Sequence, residues 1–155
     1  MPFEHHFTAA LVWPRVAGGS TASPDFSRDF TISLEGKPDI LGSGPTAFKG
    51  NAAGQNPEEM LVASLSACHM LTYLSLAARK GLAVTGYEDH ATGKLERGAG
   101  GKIQFTQVTL RPKVSLAPGA DSALAQALHH DAHAGCFVGN SVNFPVQVAP
   151  VADVG

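Results

Sequence analysis

The sequence predicts an α+β fold with strands on both sides, in sequence, of one long central helix. Three observations predict it. The stretch "NPEEMLVASLSACHMLTYLSLAARKG" runs from a capping sequence to a glycine without a breaker and leaves no broad polar face, which is the pattern of a helix buried on most sides. Short stretches of alternating apolar and polar residues, spaced as β-strands are, stand on both sides of it. A second, shorter helical stretch follows the later strands and leads into a last strand.

Each element has its own justification. Phe7, Ala9, Leu11 and Trp13 alternate along "FTAALVW", giving a half-buried strand over 7–13. "PRVAGGSTASP" follows as a loop rich in turn formers. Phe30, Ile32 and Leu34 alternate in "RDFTISLEG", a second strand that should pair with the first. Between Lys37 and Gln55, Gly and Pro are dense, so this is a long connection with a short strand at Ile40–Leu41. Asn56 is then an N-cap, Pro57 suits the first helical position and Glu59 completes a capping box. The acids Glu58 and Glu59 face the positive end of the helix dipole. Roughly 24 residues, about 36 Å of helix, run to the stop at Gly81. Ser, His and Thr interrupt the apolar run too often for a membrane span. Beyond it, 83–96 reads as one strand with Val84, Tyr87 and Leu95 as its larger apolar residues, and "RGAGGK" as a turn. A long strand over 103–116 changes phase between Phe105 and Val108, which marks a bulge. Pro112 puts its far half at a sheet edge. A second helix runs from Asp121 or Ser122 to Ala134 and stops at Gly135, so that Cys136 opens "CFVGNSV". "NFPVQVAPV" is the last strand.

Length and composition set the outer bounds. A chain of 155 residues is expected to form a single domain, 1–155, with a real core. The net charge is only −2 and the Lys and Arg residues are scattered, so neither nucleic acid nor an anionic membrane is an expected partner. "MPFEHHFTAA" lacks the basic-then-apolar layout of a signal peptide, and the expected location is cytoplasmic.

The two cysteines, Cys68 and Cys136, lie far apart in sequence. In a reducing compartment a structural disulfide is disfavoured, so they are either buried small residues or a redox pair. The thiolate is the nucleophile, and a free thiol is mostly protonated near neutral pH. Cys68 lies three turns into its helix, beyond useful reach of the dipole, so its activation calls for a cation from another element. Arg28, Arg15 and Lys49 are the candidates. Glu58 and Cys68 are separated by about 15 Å of helical rise and cannot touch within one helix. A site using both must take one of them from a second copy, and a two-fold dimer would also cover the apolar helix.

"NPEEMLVASLSAC", followed after a long gap by "AHAGCFVGNSV", resembles the OsmC/Ohr family of thiol-dependent peroxidases over most of the chain. The resemblance implies an OsmC-like intertwined homodimer whose antiparallel sheets wrap long central helices and whose active sites are composite. It implies that Cys68 is the peroxidatic cysteine and Cys136 the resolving one. A Cys68 sulfenic acid would close to a Cys68–Cys136 disulfide, and a thiol or dithiol reductant would reopen it. It also implies that Glu58 orients a catalytic arginine. The stretch before Asn56 offers only Lys49, whereas "SRDF" offers Arg28; Arg28 is therefore the preferred cation, then Lys49, then Arg15.

Other polar signals carry less. His129 and His133 stand one helical turn apart, a spacing that could bind a metal. No third ligand is obvious beyond His130 or Asp131, and solvated histidines on an exposed face are the preferred reading, with no metal and no cofactor expected. His69 points about 100° away from Cys68 and reads as a packed or interface residue; His5 and His6 have no assigned role. Ser64, Leu65, Leu71 and Thr72 share the face of Cys68, and Leu65, Leu71 and Thr72 are expected to line a substrate pocket. The resulting expectation is a homodimeric peroxidase that reduces hydroperoxides, organic ones above all, to alcohols. The alternative is a non-enzymatic protein of the same fold that binds a small hydrophobic ligand.

Overall fold

The computed structural model describes residues 3–13 and 20–152. Contacts gather into two compact units, Met1–Met60 and Leu61–Gly155.

In the first unit, β1 (Ala10–Val12), β2 (Phe30–Ser33) and β3 (Ile40–Gly42) form an antiparallel sheet in that order. The expected pairing of the first two strands is present. The first strand is shorter than 7–13, and its apolar residues Leu11 and Trp13 are exposed in the single chain. Gly42 is required where it stands, since a Cβ there would enter the Phe30 ring. The long connection closes back on β3. Ser43 N–H donates to the Gln55 carbonyl, Gln55 N–H to the Leu41 carbonyl, and Asn51 N–H to Ser43 Oγ. Short-range hydrogen bonds thus give a Gly-rich stretch its order.

The central helix, α1 (Pro57–Arg79), begins as its sequence implies: Asn56 Oδ1 accepts from Glu59 N–H at 2.8 Å. It ends in a C-terminal motif in which Leu82 N–H donates to the Ala77 carbonyl across Gly81, whose φ is +69°.

The second unit corrects the strand boundaries. The single strand expected over 83–96 is two, β4 (Val84–Asp89) and β5 (Thr92–Arg97); the one over 103–116 is β6 (Ile103–Leu110) and β7 (Pro112–Leu116). β4 pairs with β7, while β5 and β6 form a separate sheet with β8 (Val146–Val148). A polar clamp makes both breaks. Asp89 accepts from Arg111 N–H at 2.6 Å and from Ser66 Oγ at 2.5 Å, and the Arg111 guanidinium donates to the His90 carbonyl and Thr92 Oγ1. These side-chain bonds stand in for ladder bonds where the chain changes sheets. The expected bulge is present: Lys94 faces Gln107 and Leu95 faces Phe105, leaving Thr106 unpaired in the register. β8 joins β6 in parallel, unlike the antiparallel pairs elsewhere.

The second helix, α2 (Ser122–Gly135), is capped by Asp121 Oδ1, which accepts from Leu124 N–H at 3.0 Å. It packs with β7 and the C-terminal half of α1 in one apolar cluster, built on Tyr73, Ala77, Leu82, Val114, Leu116, Ala125, Leu128 and Ala132. A second cluster joins Leu65 to Val108 and Leu110.

Candidate functional site

The middle of one helix and the end of another hold the cysteines on one turn of chain. Cys68 projects from the middle of α1, and Cys136 is the residue that closes α2. Gly135 allows the approach, because a Cβ there would stand 3.2 Å from the Thr72 methyl. After Cys136 the chain turns tightly: Asn140 N–H donates to the Cys136 carbonyl, and Asn140 Nδ2 caps the Ala134 carbonyl. That turn aims two amides at sulfur. Val138 N–H donates to Cys68 Sγ at 3.5 Å and Gly139 N–H to Cys136 Sγ at 3.3 Å. Gly139 has little room for a side chain, since a Cβ would stand 3.2 Å from Cys136 Sγ.

Both thiols are free, and their environments differ. Cys136 is buried, only 3% exposed. Burial, followed by its hydrogen bond to Cys68, pushes its thiol up to about 11; the Gly139 and Val138 amides oppose that rise. Cys136 is thus held protonated beside Cys68. Cys68 is half-buried and opens onto a cavity of about 730 Å³. Its lining includes Ser64, Leu71, Thr72, Leu76, Phe137 and Val138, with Arg79 and Asp131 as the charged residues.

Two of the three expected pocket walls are in place. Leu71 and Thr72 line the cavity, although the Thr72 hydroxyl is spent on the Cys68 carbonyl at 2.9 Å. Leu65 is a correction: it is 0% exposed in the cluster with Val108 and Leu110 and does not line the cavity. It lies three residues before Cys68, about 300° around the helix, which turns it onto the β6 side. Leu65→Ala is therefore expected to lower unfolding free energy by about 2–5 kcal/mol. Leu71→Ala, at an exposed position, should stay within about 0.5 kcal/mol of wild type. Denaturant midpoints measured on both variants check the contrast.

Glu58 and the candidate cations belong to the first unit. Glu58 Oε2 is buried and has no hydrogen-bond partner among the described residues. The Arg28 guanidinium lies over the Phe26 ring, 4.1 Å from its centroid, and donates to the carbonyls of Phe26 and Pro24. No ion pair joins Arg28 to Glu58 among the described residues. Lys49 is paired with Asp25 at 3.0 Å. Arg15 lies outside the described residues.

The histidines divide differently from expectation. His130 and His133 are exposed, but His129 is 4% exposed and not on the solvated face. Its Nδ1 lies 3.2 Å from Nε2 of His69, itself 0% exposed. Burial lowers both to about 4, so they are neutral at pH 7. Among the described residues, no group of three His, Cys, Asp or Glu side chains is arranged to hold a metal ion.

Comparison with known proteins places this geometry in a family. A family model described as OsmC-like protein matches residues 49–150. The chain belongs to the OsmC-like family. It is similar to an OsmC-like protein of Vibrio cholerae, at 34% identity and a TM-score of 0.90, covering 96% of this chain and 100% of that one. It is 25% identical over 156 residues to the protein YmaD of Bacillus subtilis (strain 168), with 97% of this chain and 95% of YmaD covered. An organic hydroperoxide resistance protein from Elizabethkingia anophelis shares its fold, at 18% identity and a TM-score of 0.72 over 100% of each chain. The α+β class and the family read from the two cysteine motifs are thus established for this OsmC-like chain. The family includes peroxidases, and its proteins are typically dimeric.

Among the wall residues that escaped sequence reasoning are Arg79, Asp131, Phe137 and Val138. Arg79 was within reach of it. Stepping 11 residues from Cys68, three helical turns, returns to the same face. Phe137 and Val138 follow Cys136 in a turn whose direction no periodicity encodes.

Proposed function

We propose that this OsmC-like protein is a cysteine-based, thiol-dependent peroxidase that reduces organic hydroperoxides to alcohols. The observation that carries the reading is the turn after α2, whose successive amides donate to both sulfurs, Val138 N–H to the half-buried Cys68 on the cavity wall and Gly139 N–H to the buried Cys136. The Cys68 thiolate attacks the distal peroxide oxygen; the O–O bond breaks, and the departing alkoxide takes a proton to leave as alcohol. Cys68, oxidised by two electrons, becomes a sulfenic acid. The Gly139 amide, which donates to Cys136 Sγ, favours its thiolate. Cys136 sulfur then displaces hydroxide, which leaves as water, and the disulfide forms. A dithiol returns both sulfurs to thiols by exchange. Largely apolar walls suit an organic tail.

The working unit in this reading is a cytoplasmic homodimer with composite sites, in which Glu58 orients Arg28 as the activating cation. Two observations support the dimer. Helix α1 has a mean hydropathy of 1.5 over an 18-residue window, yet only 22% of that window is buried in the single chain. Oε2 of Glu58, buried and without a hydrogen-bond partner among the described residues, is an acceptor suited to a guanidinium. A second copy would supply both a cover and a partner.

The test is hydroperoxide consumption by purified protein with a dithiol. Cumene or tert-butyl hydroperoxide should be consumed catalytically. Failure to consume either of these or hydrogen peroxide would leave the cavity as a site for an apolar ligand, the second reading its lining favours.

A further inference from the structure

The buried histidines are not explained by packing alone. His69 follows Cys68 on α1; His129 stands on α2, seven residues before Cys136. Their rings are parallel to within 6°, with Nε2 of one 3.2 Å from Nδ1 of the other. The Tyr73 ring stacks on His129 at 4.4 Å, and its hydroxyl donates to the Ala125 carbonyl at 3.0 Å, fixing the imidazole on its helix. This is a poor way to gain stability. His69 Nδ1 and His129 Nε2 are left buried without hydrogen-bond partners among the described residues, whereas two apolar side chains would leave no such atoms. A directional bond offers something apolar contacts lack. Around it α1 and α2 meet through small or smooth residues, Ala77, Ala125, Leu128 and Ala132, which tolerate sliding; the N–H···N bond, together with the bond from the Tyr73 hydroxyl of α1 to the Ala125 carbonyl of α2, sets a single register.

We propose that His69 and His129 are a positioning pair, holding α1 against α2 at the register in which the Cys68 and Cys136 sulfurs meet. Neither imidazole touches substrate. Their effect lies in the effective concentration of one thiol at the other. The proposal deepens the redox reading of the cysteine pair and rests on it only in assuming that the two sulfurs close to a disulfide.

The experiment uses glutathione redox buffers, so it needs no peroxide chemistry. Cys68 and Cys136 lose two electrons and two protons to glutathione disulfide, which becomes two glutathione thiols, and the equilibrium ratio reports effective concentration. The His69→Leu/His129→Leu double variant, matched to wild type by circular dichroism, should show at least about a tenfold lower effective concentration. His129→Asn, which keeps a polar atom near the Nδ1 position, should recover most of the loss. Should the double variant not fold, the comparison of His129→Leu with His129→Asn decides the matter alone. Effective concentration unchanged in the folded apolar variants would overturn the proposal, as would equal loss in Leu and Asn variants. A wild type that closes its disulfide in glutathione buffer but ignores hydroperoxides would defeat the peroxidase reading and leave this one standing.

Discussion

Cys68→Ser is expected to abolish dithiol-dependent hydroperoxide turnover, a loss of at least about 10³-fold. A serine hydroxyl stays protonated at neutral pH and cannot accept the peroxide oxygen as a thiolate does. Cys136→Ser should behave otherwise. The first turnover remains, because the cavity opens at Cys68 and the Val138 amide still points at its sulfur. The sulfenic acid then has no neighbouring sulfur to meet, so it should accumulate and be captured by a sulfenic-acid reagent such as dimedone. Rapid-mixing kinetics with mass measurement of the protein separate the two variants: one unmodified, one carrying a single oxygen or its adduct. Equal loss of the first step in both would mean that the roles are not divided as the burial of Cys136 implies.

The second large effect is on stability in acid. His69 and His129 are held at about 4 in the folded protein, first by burial, against 6.5 when unfolded. Between those values the unfolded chain binds more protons, so stability is full above about pH 6.5 and falls as pH drops toward 4. The neighbours act in both directions: His129 and His133 lower His69 further, while Asp89 raises both histidines. The combined loss by pH 4 is up to roughly 6 kcal/mol, comparable with the whole stability of a small domain. Denaturant unfolding at pH 7 and at pH 4.5 should show most of it. The His69→Leu/His129→Leu variant should lose much less across the same window, because it has no buried imidazole to charge. A wild-type curve as flat as the variant's would contradict the burial of the pair.

Much of the fold was legible because local chemistry encodes it. Asn56 and Asp121 cap α1 and α2 as their positions announce, and Gly81 supplies the left-handed residue that ends α1. The phase change before Val108 marked a real bulge. Boundaries set by tertiary contacts were not legible. The breaks at 90–91 and at Arg111 depend on Asp89 meeting Arg111 and Ser66 across 22 and 23 residues, which alternation along one strand cannot reveal. The site divides along the same line. Cys68 and Cys136 stood out by type and motif, and in the structure the amides of Val138 and Gly139 in one turn donate to the two sulfurs. Leu65 was misplaced because it and Leu71, each three positions from Cys68, turn about 60° to opposite sides of it, Leu65 into the core and Leu71 onto the cavity. His129 was taken as solvated because its neighbours His130 and His133 are, while its own burial depends on His69, 60 residues away.

The most direct measurement is a non-reducing peptide map after one equivalent of an alkyl hydroperoxide. A single cross-link joining the peptide of Cys68 to that of Cys136, absent before treatment and reversed by dithiol, is the expected result. Oxidation of Cys68 that stops at sulfinic acid with Cys136 still a thiol, or no oxidation of either sulfur, would contradict the pairing on which the proposed chemistry rests.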